Sequence, residues 1–242
     1  MWRQVPLIGS LGTQGSPERW LVALALLGWS LIAVLSGIFG MAMCMAAGAA
    51  RQDTSHLIIS SVPMQIAMTL LMLPLLAGTV RYVKLRSFEC RRRRSVTMTI
   101  IGYVGVWFSG NVVLTLVAWG AHAAGIIASA LAVASLVLAA VWQISPAKHL
   151  ALLACHRHYP LYPTGGRADA SCLYQGAANG LYCFSSCGPM MLAAMLSPYP
   201  VIAMLCVFLM LCVERYERRR PRVETGYALL AAAAVTLATA YI

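Results

Sequence analysis

Charge is scarce in this chain. Only 10% of its 242 residues are Asp, Glu, Lys or Arg, and just 7 of those are acidic. A soluble domain carries about 25% charged residues, and here 60% of the chain is hydrophobic. Too little polar surface exists to face water, which excludes a soluble enzyme, a disordered chain and a disulfide-rich secreted domain. No internal repeat is visible. No Asp, Glu, Lys or Arg falls within the apolar runs, Glu214 lying only at the edge of one. Proton-coupled transporters and pumps keep a carboxylate or His near the midplane, and membrane hydrolases need a base or a metal-activated water. The sequence predicts no enzyme.

The positive charge that is present is strongly patterned. The net charge is +11, and the arginines flank long apolar runs, so they report membrane orientation rather than nucleic-acid binding. At about 20 residues per span, the runs predict seven transmembrane helices, near 20–45, 56–80, 95–118, 123–144, 172–196, 200–215 and 226–242. Loops 81–94, 145–171 and 214–225 would be cytoplasmic, with the N-terminus inside and the C-terminus outside. That arrangement puts 17 of the 18 basic residues inside, Arg51 being the exception. The expected fold is a single all-α, polytopic membrane helix bundle over 1–242, in contact with the lipid bilayer. The stretch Ser145–Ser171, rich in Pro and Gly, reads as a loop that includes at most one short helix.

Sulfur is abundant, with 13 Met and 8 Cys. Residues four apart share a helix face. Met41 and Met45 make one such pair, with Cys44 beside them. Met64, Met68 and Met72 make a second stripe, and Cys183, Cys187, Met191 and Met195 a third. The topology puts all three stripes in the middle and outer layers. Thiolates and thioethers select Cu(I) over hard cations. Cys183 and Cys187 are the candidate core ligands, completed or fed by Met191, Met68 and Met72. Met64, Met195, Met41, Cys44 and Met45 form a looser outer set. Cys155-His156-Arg157-His158 could hand a metal on from the long loop, although no standard zinc spacing is present. The competing interpretation is that Met and Cys are ordinary apolar filling. Gly176-x-x-x-Gly180 reads as close helix packing, and Pro189 as a kink that frees the Ser185 carbonyl. A redox role for Cys183 and Cys187 fits poorly, because side-chain directions on a regular helix do not suit a bridge.

The segment Trp142-Gln143-Ile144-Ser145-Pro146-Ala147-Lys148, with the later Cys155, resembles the aromatic-Gln-x-[Thr/Ser]-Pro-x-Lys motif of the bacterial family called predicted metal-binding integral membrane proteins. Gly176-x-x-x-Gly180-Leu181-Tyr182-Cys183-x-x-x-Cys187-x-x-x-Met191 resembles its central motif, Glu214 its next acidic position, and Ala67-Met68-x-x-x-Met72-x-Pro74 a loose form of its Ala-Met-Met-x-Pro signature. The resemblance covers about residues 60–220 and implies a bacterial inner-membrane protein with a metal site, copper first among candidates. The chain departs from the pattern at Ser186, Gly188, Asn179 and Ala151, where the family usually has Cys, an aromatic, His and Cys, so it resembles a divergent member. The expected function is binding of Cu(I) for delivery or insertion into a membrane or periplasmic target protein. The alternative is a non-catalytic accessory or scaffold subunit of a larger membrane complex.

Overall fold

The computed structural model describes residues 65, 66, 68–196 and 200–217, with a few isolated positions outside them (23, 26–30, 224 and 228). All regular structure among the described residues is helical. A 3-10 turn, Leu73–Leu76, leads into α1, Ala77–Arg86. A second 3-10 turn, Glu89–Arg91, leads into α2, Arg92–Ala123. Then come α3, Ala128–Ile144, α4, Pro146–Ala154, α5, Gly165–Met195, and α6, Pro200–Glu217.

Local chemistry explains the breaks. Pro74 lies in the first 3-10 turn, where its missing N–H ends the preceding helix. After α2, Gly125 takes φ +79, a left-handed conformation that stops the helix. Between α3 and α4 the axis bends by 69°. Ser145 is extended there, its hydroxyl caps the Ala147 N–H at 3.1 Å, and Pro146 opens the new helix.

Two long helices, α2 and α5, form the frame. They run parallel, since Thr99 meets Gly176, Tyr103 meets Gly180, and Trp107 meets Phe184 further along both chains. Their backbones nearly touch. A Cβ at Gly176 would stand 1.9 Å from the Thr99 carbonyl oxygen, and one at Gly102 would stand 2.2 Å from that of Leu173. The packing role of Gly176 and Gly180 is therefore visible directly.

The structure corrects the reading of seven transmembrane helices. Among the described residues one helix, Glu89–Ala121, is long and apolar enough to cross a membrane, or two if the bent pair Ser129–Ile144 and Pro146–Ala154 counts as one broken span. Each shortfall has a cause in the residues. The second run breaks at Pro74, and its continuation α1 carries Arg81, Lys84 and Arg86. The fourth run gives a helix of only 17 residues. The fifth is long enough, but Gln175, Asn179, Ser185, Ser186 and its glycines dilute its apolar character. The sixth has 18 residues and ends in Glu214, Arg215 and Glu217. The first and seventh runs lie outside the described residues. The N-inside, C-outside topology rested on the count of seven and falls with it.

The stretch 145–171 contains one short helix, as the sequence allows, and its last residues already belong to α5, which begins at Gly165. It begins as α4, with Lys148 completely buried. The chain then runs back along α5: Asn179 donates to the Cys155 carbonyl at 3.0 Å, the Tyr159 N–H reaches Gln175 Oε1 at 2.7 Å, and the Tyr162 N–H reaches Ser171 Oγ at 3.2 Å.

Candidate functional site

Cys183 lies on the buried face of α5 and is 2% exposed. Helix spacing places Cys187 and Met191 on the same face, and both are fully buried. The Cys183 sulfur interacts with the thiols of Cys187, one turn along α5, and of Cys155, where α4 ends. Tyr103 of α2 points its hydroxyl at Cys183 Sγ from 3.7 Å, and the same hydroxyl donates to the Met72 carbonyl at 2.9 Å. One phenol thus ties the break at Pro74 to the cysteine. On the remaining side, Arg215 of α6 brings Nη1 to 3.7 Å from Cys183 Sγ and Nη2 to 3.3 Å from Asn179 Oδ1. Asn179 is itself fixed, because its amide donates to Thr79 Oγ1 at 2.8 Å and to the Cys155 carbonyl.

Within α5 the thiol and hydroxyl donors bond backward. Ser186 Oγ donates to the Cys183 carbonyl at 2.7 Å, and Cys187 Sγ approaches it at 3.1 Å. Pro189 sits inside the helix two residues further on.

Met68, Met72, Met191 and Met195, all predicted ligands, belong to the same continuous buried core as Cys155, Cys183 and Cys187, together with Met190 and Met204. The two histidines behave differently. His158 is exposed, stacked on Tyr82 with ring centroids 4.3 Å apart. His156 is half-buried. Met41, Cys44, Met45 and Met64 lie outside the described residues. Among the described residues no group of three or more His, Cys, Asp or Glu side chains is arranged to hold a metal ion. The donors present are thiols that share one buried core with several thioethers. Such a set suits a soft monovalent ion and does not supply the four N, S or O ligands of structural zinc.

Beside this cluster lies a second buried polar group. Lys148 Nζ pairs with Glu214 Oε2 at 2.8 Å, Gln143 Oε1 accepts from Lys148, and Gln143 Nε2 donates to Glu214 at 2.5 Å. Lys148 also stands 3.9 Å from Met190 Sδ. Gln143, Lys148 and Glu214 come from three helices and carry the motif positions that flank the cysteines in sequence. Spacing alone gave Arg215 and Tyr103 no role. Arg215 reads as one more charge in a basic segment, and Tyr103 as one aromatic in an apolar run.

Residues 58–238, three quarters of the chain, match the family described as PpoB2, copper chaperone. The chain belongs to that family, and its function is copper-related. No curated protein and no solved structure is significantly similar to it.

Proposed function

We propose that this member of the PpoB2 copper-chaperone family is a membrane-held, non-catalytic carrier of Cu(I), with Cys183 as the central ligand. The observation that carries the reading is the meeting of Cys183 with both Cys155 and Cys187 inside a methionine-rich core. Cys183 and Cys187 hold the cargo ion, Met191, Met68 and Met72 supply neutral thioether contacts, and Met195 lies along the approach. Cys155 is the exit ligand, since the chain beyond it leaves the core for the surface at His158. The ion is cargo, passed on to a membrane or periplasmic protein.

A bacterial inner-membrane location is supported by the inverted distribution of polarity. Ile101, Val113, Val117, Leu138, Val141, Leu181 and Leu209 are exposed, whereas Gln65, Asn111, Gln143, Lys148, Gln175, Asn179 and Glu214 are buried. A water-soluble domain has the opposite preference.

The test is the copper content of detergent-purified protein loaded with Cu(I) under reducing conditions, beside the Cys183→Ser/Cys187→Ser double variant. Near-stoichiometric copper in the parent, lost in a folded double variant, is the expected result. Full retention by the variant would remove these cysteines from the site. Absence of copper in both, with stable co-purification of other membrane proteins, would favour the accessory-subunit reading.

A further inference from the structure

We infer that Arg215 sets the charge of the ion this site accepts: its guanidinium is the counter-ion that lets a pair of thiolates hold a monovalent soft cation and disfavours a divalent one. The inference rests on the Cu(I) reading of the Cys183 cluster. Arg215 Nη1 stands 3.7 Å from Cys183 Sγ, and an arginine keeps its charge in any protein environment. Among the described residues it makes no ion pair. The pairs there are Arg91–Asp169, Arg92–Glu89, Arg94–Asp169 and Lys148–Glu214. The adjacent carboxylate, Glu214, turns away to Lys148, as neighbours on a helix must. That flank is neutral by itself.

The position of Arg215 is built. Its second nitrogen is received by Asn179 Oδ1, whose own amide is anchored on Thr79 and on the Cys155 carbonyl. A guanidinium held against a buried sulfur, with no carboxylate among the described residues to answer it, leaves the sulfur as its counter-charge. Two thiolates with a monovalent ion carry one net negative charge, which Arg215 cancels. The same thiolates with a divalent ion are already neutral, and Arg215 then leaves a positive charge uncancelled among apolar residues. A unit charge about 5 Å away at a partly buried position changes a binding ratio by on the order of a hundredfold. Arg215 is thus a specificity-determining residue that need not touch the ion.

The test is a competition between Ag(I), a redox-inert monovalent probe, and Cd(II), a soft divalent probe. It uses the full chain in detergent, read by equilibrium dialysis and metal analysis. Arg215→Met should lower the Ag(I)-over-Cd(II) preference by on the order of a hundredfold. Arg215→Lys, which keeps the charge and loses the fork, should retain most of the preference. An unchanged ratio in Arg215→Met would overturn the inference, and so would an equal loss in Arg215→Lys, since the fork and not the charge would then matter. If Arg215→Met does not fold, Arg215→Gln takes its place with the same expectation, since it too removes the charge. A parent protein that binds neither ion through Cys183 would overturn the copper reading and this inference together. Cys183-dependent Ag(I) binding with an unaltered ratio would overturn this inference alone.

Discussion

Lysine 148 offers the sharpest perturbation. Its ammonium is completely buried, Glu214 is 3% exposed, and their charged atoms are 2.8 Å apart. Lys148→Met removes the cation and leaves the carboxylate buried, with the Gln143 amide as its remaining hydrogen-bond donor. Breaking one side of a buried pair costs about 3–5 kcal/mol, because the partner charge stays in a low dielectric unanswered. Against a typical total stability of about 5–15 kcal/mol, that is about a fifth or more of what holds a domain together. The double change Lys148→Met/Glu214→Gln removes both charges and keeps the shape, so it should recover to within about 2 kcal/mol of the parent. The assay is reversible unfolding in mixed micelles, followed by circular dichroism, for the parent, both single variants and the double. A loss below about 1 kcal/mol for Lys148→Met, or a double variant no more stable than that single, would refute the reasoning.

The glycine contacts give a matched pair. A side chain at Gly176 meets backbone at 1.9 Å, so Gly176→Val should push α2 and α5 apart and cost more than about 3 kcal/mol. Gly188→Ala, whose Cβ meets only the Phe184 ring at 3.5 Å, should be neutral or stabilising by up to about 1 kcal/mol in the same unfolding assay. At the sulfur cluster, Cys155→Ser should weaken Cu(I) binding by about tenfold or more in a competition titration, because the hydroxyl is a hard donor. His158→Ala should leave it unchanged, and a loss there as large as that of Cys155→Ser would move the exit site to the surface. Asp169→Asn removes the 2.6 Å contacts to Arg91 and Arg94, yet Arg94 is 64% exposed, so the loss should stay within about 1 kcal/mol and shrink further in salt.

What the sequence made legible followed from periodicity and short-range chemistry. Cys183, Cys187, Met191 and Met195 share one face because four-residue spacing on a helix requires it, and all four are buried, although α5 is buried on every side from Met190 to Met195. Gly176 and Gly180 mark a close helix contact because residues without a side chain have few other reasons to recur at that spacing. The number of spans was misread because hydropathy runs do not register where a helix stops. Pro74 divides one run, and another yields a helix of only 17 residues, Ala128–Ile144, because the chain turns at Gly125 before it starts. The long stretch after Ile144 reads as a loop with at most one short helix; Pro146 begins such a helix, and what spacing does not show is that Lys148 is buried by its pair with Glu214, 66 positions away. Arg215 and Tyr103 could not have been found by spacing. Their roles depend on where α6 and α2 pass Cys183, and no local pattern encodes that.

The central claim is that copper is held by sulfur around Cys183, and it is tested most directly by X-ray absorption at the copper edge of the Cu(I)-loaded protein. The account predicts a ligand shell of sulfur alone that collapses in Cys183→Ser. A shell built mainly from nitrogen or oxygen, unaltered by that substitution, would contradict it.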